Sequence, residues 1–278
     1  MIDDFLDLTK SHGGGWELYL ADAQEFVSTL PDGSIDAVLT DPPYEVLDQS
    51  IQDWDNMSVV LGMEAGLMRV LKPGATVAVF ASWQLWFALM QSWKHLDFRY
   101  EVIVHRSNAF SGPYSRRPVN RHEYLLVFER PGGRAYWDES ALAGQGDSHY
   151  RGARDMSGWN KTCGGFAQGK HYGTVRKPTS VQVMKAKNHF VMAERTGHPT
   201  QKEQAFCERW VRAIAPPGAL VMDPFSGSGT TGAACIMSGR RFVGSERDQV
   251  WFDCASGRLA STSPDPSGED DRQISFLR

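Results

Sequence analysis

The chain has 278 residues, 41% of them hydrophobic, and a formal net charge of −4, which suits one large domain with a full core. No stretch reaches the ~18 uninterrupted apolar residues of a membrane helix, and the start MIDDFLDLTK lacks the pattern of a secretory leader. The cysteines at 163, 207, 235 and 254 form no CxxC pair, so they read as reduced thiols of a cytoplasmic protein, not as a disulfide framework or a zinc site.

In chain order, WELYLADA reads as a strand, residues 24–30 as a short helix and IDAVLT as a strand. MSVVLGMEAGLMRVL reads as one helix closed by Lys72-Pro73-Gly74, and ATVAVF as the next strand. FRYEVIVHR and HEYLLVFER are further strands. EQAFCERWVRAIA is a helix stopped by Pro216-Pro217-Gly218, and ALVMD and RFVGSE are strands flanking a helix that starts near Gly229. Such alternation predicts an α/β fold with a mostly parallel sheet covered on both faces. Between about 131 and 197 the rhythm fails in a stretch dense in Gly, Ser, Arg, Lys and His, which reads as an inserted recognition region. The tail 261–278 is polar and reads as flexible.

The charge is divided. Residues 99–190 carry 15 Lys+Arg against 7 Asp+Glu, and the remainder 14 against 26. The basic region is either a face for a polyanion or a solvated, loop-rich surface.

Two stretches carry chemistry. In SIDAVLTDPPYEVLDQ an apolar strand ends in Asp41-Pro42-Pro43-Tyr44, which is either simple punctuation or a clamp for a flat polar group. In LVMDPFSGSGTTGAAC a strand ends at Asp223 and a tight glycine turn leads into a helix, whose first N–H groups are open to a ligand. No lysine follows the glycines, so this is not the phosphate loop of an ATPase. Glu246 ends the next strand, where a ribose diol would be gripped. Together they fit a nucleoside-bearing cofactor without phosphates.

These stretches resemble the amino-methyltransferases of DNA, which use S-adenosyl-L-methionine (AdoMet). TDPPY resembles the family's catalytic motif [DNS]PP[YFW], DPFSGSGTT its FxGxG motif, and GHPTQKE its HPTQKP motif. RVLKPGATVAVF and HEYLLVFER match the strands that follow the catalytic loop. The resemblance covers nearly the whole chain, and the order, catalytic motif first, is that of the β arrangement. It implies a permuted seven-stranded Rossmann-like sheet with an inserted target-recognition region. Residues 1–130 would form the catalytic-motif half, 131–197 the insertion and 198–260 the AdoMet-binding half. Glu203 stands where proline is usual.

The resemblance assigns catalysis to Asp41, Pro42, Pro43 and Tyr44. Asp41 and the Pro42 carbonyl would accept the two N–H bonds of an adenine amine, and Tyr44 would stack on the flipped base. AdoMet would be lined by Asp22, Ala23, Asp41, Thr200, Gln201, Lys202, Asp223, Phe225, Ser226, Gly227, Ser228, Gly229, Thr230 and Glu246. For Asp22 and Thr200 helix capping is an equal alternative, as is a structural hydrogen bond for His198. Double-stranded DNA would meet Arg116, Arg117, Arg121, Arg151, Arg154, Lys161, Lys170, Arg176 and Lys177, mostly through phosphates. No metal is required. The implied protein is bacterial or phage-encoded, and a homodimer or a restriction endonuclease partner is compatible with it. Rival readings are methylation of cytosine N4, where the family more often has Ser in place of Asp41, methylation of RNA adenine or of a protein glutamine, and a non-catalytic DNA-binding module.

Overall fold

A computed structural model describes residues 8–43, 57–106, 120–143, 178–185 and 195–264. The chain opens with β1 (Lys10–Gly13), β2 (Trp16–Leu20) and α1 (Ala23–Thr29), followed by β3 (Ile35–Thr40), α2 (Ser58–Leu61) and α3 (Glu64–Val70). Next come β4 (Leu71–Ala81), α4 (Trp83–Ser92), β5 (Asp97–Arg106), β6 (His122–Glu129), a 3-10 turn (Glu139–Leu142) and β7 (Val181–Met184). The last elements are α5 (Gln204–Ile214), β8 (Leu220–Asp223), α6 (Thr230–Met237), β9 (Arg241–Glu246) and α7 (Gln249–Ser261).

The strands form one sheet in the order β1-β2-β9-β8-β3-β4-β6-β5-β7. From β2 to β4 all neighbours are parallel, and β6 runs antiparallel between β4 and β5. The seven strands from β2 to β5 are the expected sheet. Two edge strands extend it: β1 pairs antiparallel with β2, and β7 pairs parallel with β5. Short apolar runs such as IDAVLT suit the centre because both of their faces are covered. On one face α5, α6 and α7 bury Phe206, Trp210, Ala233 and Leu259; on the other α1, α3 and α4 bury Phe26, Leu67, Leu85 and Leu89.

The single helix expected over MSVVLGMEAGLMRVL is two helices. The first ends at Gly62, where a Cβ would stand 2.7 Å from Gln24 Nε2 on α1. Gln24 Nε2 itself donates to the carbonyl of Val59, which ties the end of α2 to α1. The range 131–197 contributes two described pieces to the main body. Leu142 of the 3-10 turn is buried in the α5-side core, and Val181–Met184 is the edge strand.

The sheet places its ligand end by topology. Chain connections leave β3 toward β4 and β8 toward β9, in opposite directions, while β3 and β8 are neighbours. Such a switch point opens a crevice at the carboxyl ends of the strands.

Candidate active site

A cavity of about 420 Å³ fills that crevice. Its walls come from the residues that follow β2 (Ala21, Asp22, Ala23), β3 (Asp41, Pro42, Pro43), β8 (Asp223 to Ser228) and β9 (Glu246 to Asp248). His198, Thr200, Gln201 and Lys202, ahead of α5, and Trp251 of α7 complete it. Thr230, Val59 and Arg106 also reach it.

The glycine turn is held tightly. Asp223 Oδ1 accepts from Thr40 Oγ1 at 2.7 Å and from Phe225 N at 3.1 Å, which ties β8 to β3 and starts the turn. Ser226 N donates to Ser245 O at 2.9 Å, and Gly229 N to Ser226 O at 2.7 Å. Gly227 (φ +48°) and Gly229 (φ +74°) take left-handed backbone that L side chains rarely adopt. Gly229 caps α6 and lies against Ala255 instead of lining the cavity. Gly244, inside β9, was not singled out from sequence. A Cβ there would fall against Ser226 Oγ, 2.5 Å from Phe242 Cζ and 2.8 Å from the Asp223 carbonyl. The bare strand is what lets the turn approach.

Glu246 supports the same turn. Its Oε2 accepts from Gly227 N at 2.8 Å and its Oε1 from Asp248 N at 2.9 Å. Arg247 N also bonds the carboxylate, which lies in the cavity wall. Burial raises the proton affinity of Glu246, against the N–H bonds from Asp248, Gly227 and Arg247. Burial also pushes Asp223 up to about 6. Asp22 Oδ1 caps α1 by accepting from Gln24 N at 2.9 Å, and the residue lines the cavity as well. Thr200 lies 3.4 Å from His198 Nδ1, and Gln201 Oε1 accepts from Thr196 N and Oγ1. His198 meets Trp251 edge to face, with centroids 4.5 Å apart.

At the other end lies Asp41. Its Oδ2 takes Lys202 Nζ at 2.6 Å. Its Oδ1 is buried and finds no hydrogen-bond partner among the described residues, an arrangement that costs free energy unless a ligand donor completes it. Burial raises the proton affinity of Asp41, and Lys202 opposes the rise. Pro42 is buried beside it and Pro43 is half-buried at the rim.

Of the residues expected to touch a cofactor, all but Gly229 line this cavity. Arg121 is exposed at the start of β6, where its carbonyl accepts from Arg106 N. Tyr44, Arg116, Arg117, Arg151, Arg154, Lys161, Lys170, Arg176 and Lys177 lie outside the described residues. Trp251, Val59 and Arg106 were not expected in the wall. Trp251 follows Glu246 closely, and the N-terminus of the helix after β9 was the available signal. Val59 and Arg106 arrive only through tertiary packing. Among the described residues no cluster of His, Cys, Asp or Glu could hold a metal ion, and no helix is long and apolar enough to cross a membrane.

The model of a DNA methylase family, N6/N4 type, matches residues 35–256. The Type II methyltransferase M.HinfI of Haemophilus influenzae is 24% identical over 96% of this chain and 72% of its own length. Among solved structures, the M1.HpyAVI–SAM complex superposes with a TM-score of 0.58 at 22% identity, covering 88% of this chain and all of that one. The PvuII DNA methyltransferase, cytosine-N4-specific, gives 0.65 at 14% identity, covering 91% and 90%. These superpositions establish the shared fold.

Proposed function

The chain belongs to the N6/N4 DNA methylase family, and from that premise we propose that it transfers a methyl group from AdoMet to the exocyclic N6 of an adenine flipped out of double-stranded DNA. The observation that carries the reading is the buried Asp41 Oδ1 at the cavity wall, which has no hydrogen-bond partner among the described residues. An amine lone pair delocalised into a base ring is a poor nucleophile. A fixed acceptor for one of its N–H bonds helps to localise that pair on nitrogen.

The residues present fit AdoMet. The glycine turn lets backbone approach a ligand, Glu246 presents its carboxylate at the wall where a ribose diol would be gripped, and the lining carboxylates of Asp41 and Asp223 suit a cationic ligand. M1.HpyAVI was crystallised as its SAM complex, which supports the same donor here. When bound, AdoMet supplies an electrophilic methyl group on a cationic sulfur.

The protein's own part is orientation and charge. Asp41 Oδ1 accepts one amine hydrogen, the Pro42 carbonyl accepts the other, and Tyr44 stacks on the base. Asp41, whose proton affinity burial raises, would take the proton that the amine nitrogen loses on becoming methylated. Holding both reactants in line accounts for much of the acceleration.

Labelled AdoMet and unmethylated DNA, digested to nucleosides after reaction, test the proposal. Label in N6-methyladenine is the expected result. Label in N4-methylcytosine would replace the base and keep the clamp. No label in DNA, with AdoMet still bound, would overturn the proposal.

A further inference from the structure

Asp41, Lys202, Glu123 and Arg106 form a row of alternating charges from the cavity wall to the open end of β5. Lys202 Nζ stands 2.6 Å from Asp41 Oδ2 and 3.5 Å from Glu123 Oε2, and 4.8 Å from the centre of the Phe80 ring. Arg106 Nε stands 3.5 Å from Glu123 Oε1. The side chains of Lys202 and Glu123 are only 4% and 5% exposed, that of Arg106 41%. Two cations and two anions leave no net charge in the row, which limits the cost of burying it.

A lysine with one carboxylate partner is free to settle between both of its oxygens. Here a second carboxylate and an aromatic face draw the ammonium to the far side, so its three donors are divided. We infer that Glu123 and Lys202 are positioning residues for methyl transfer, holding Asp41 by Oδ2 alone so that Oδ1 stays open for the target amine, with Arg106 balancing Glu123. This deepens the proposed reading of the same cavity and rests on it.

Among the described residues, the charged and titratable groups that face Asp41 are Lys202 ahead of α5, Glu123 on β6, Arg106 on β5, Asp223 on β8 and the Cys207 thiol on α5, which burial pushes up to about 12. Glu123 raises the proton affinity of Asp41, whereas Lys202 and Arg106 lower it. Removing the Glu123 charge must therefore move the titration of Asp41 to lower pH, and removing the Arg106 charge must move it higher. Loss of packing alone has no reason to give opposite signs.

The test is a carbon-13 NMR titration of the Asp41 carboxyl, assigned by its absence in Asp41→Asn, in full-length wild type, Glu123→Gln, Glu123→Asp and Arg106→Gln. Single-turnover transfer to DNA and AdoMet affinity are measured on the same proteins. Opposite displacements in Glu123→Gln and Arg106→Gln are expected. Transfer in Glu123→Gln should fall about tenfold with AdoMet affinity within about twofold of wild type, and Glu123→Asp should recover part of the rate. Titrations that stay put or move together would overturn the inference, as would an unchanged transfer rate in Glu123→Gln. A loss of AdoMet affinity equal to the loss of rate would overturn it too. Opposite displacements in a wild-type background that methylates no DNA would instead remove the proposed substrate and leave the row of charges standing.

Discussion

Gly244→Ala isolates the contact on which the glycine turn depends. The added methyl falls against Ser226 Oγ and within 2.8 Å of the Asp223 carbonyl, two atoms that are hydrogen-bonded to each other at 3.0 Å. Backbone cannot yield there as a side-chain end can, so the turn from Asp223 to Gly227 must move outward. Overpacking of this kind costs about 1–3 kcal/mol, which for a chain of this size lowers Tm by roughly 2–10 °C. The displacement also carries Gly227 N away from Glu246, and AdoMet affinity should fall about tenfold or more. Gly232→Ala on α6 is the control. Its methyl would meet Leu259 Cδ2 at 2.7 Å and Phe242 Cε1 at 2.9 Å, both side-chain atoms, and Gly232 does not line the cavity. It should lower Tm while leaving AdoMet affinity intact. Calorimetric titration with AdoMet and thermal unfolding of both variants decide the matter. Wild-type affinity in Gly244→Ala would refute the argument that the bare strand makes room for the turn.

Asp41→Asn should lose transfer by about 10²–10³-fold at saturating AdoMet, the scale of a lost transition-state contact, as read by single-turnover kinetics; near-wild-type transfer would remove Asp41 from the mechanism. Asp223→Asn should keep the bonds that Oδ1 accepts from Thr40 and Phe225, since an amide oxygen accepts as a carboxylate does, while Thr231 would meet an amide in place of the carboxylate. A carboxyl raised to about 6 in the fold stabilises the native state at acid pH, and that contribution is lost as pH rises from about 4 through 6. Asp223→Asn should flatten this part of the pH–stability curve and gain on the order of 3 kcal/mol at pH 7 relative to wild type, measured by denaturant unfolding. Glu203→Ala removes the buried carboxylate that accepts Lys185 N at 2.8 Å at the end of β7. It should cost about 1–3 kcal/mol and expose the Lys185 amide to hydrogen exchange; retained protection would show that β7 is held without it.

The central strands and both chemical turns were legible because their signals are local. IDAVLT and RFVGSE are apolar runs with marked ends, and the structure gives them the bounds 35–40 and 241–246. The edge strands β1 and β7 were not read. KSHG and VQVM are four residues each, too short for periodicity, and pairing with a neighbour defines them. Gly244 was readable in principle, because a glycine inside a strand marks a close approach. Glu203 stood out only as a departure from the usual proline, yet it tethers β7 to the start of α5. The Lys202–Glu123 contact joins residues 79 apart in the chain, and no spacing rule announces it.

The cavity gathers more negative charge than a stable fold would choose. Asp41, Asp223 and Glu246 all have proton affinities raised chiefly by burial, so each opposes folding when ionised. A cationic ligand placed among them reverses that sign, because a positive neighbour favours the carboxylate form. Binding of AdoMet should therefore release protons near pH 6 and tighten as pH rises through that range. Calorimetric binding heats measured in buffers of different ionisation enthalpy count those protons directly. Asp223→Asn should release fewer than wild type, and S-adenosylhomocysteine, which has the same frame without the sulfonium charge, should release fewest. Equal release by the charged and uncharged ligands would show that the carboxyl groups do not face the sulfur.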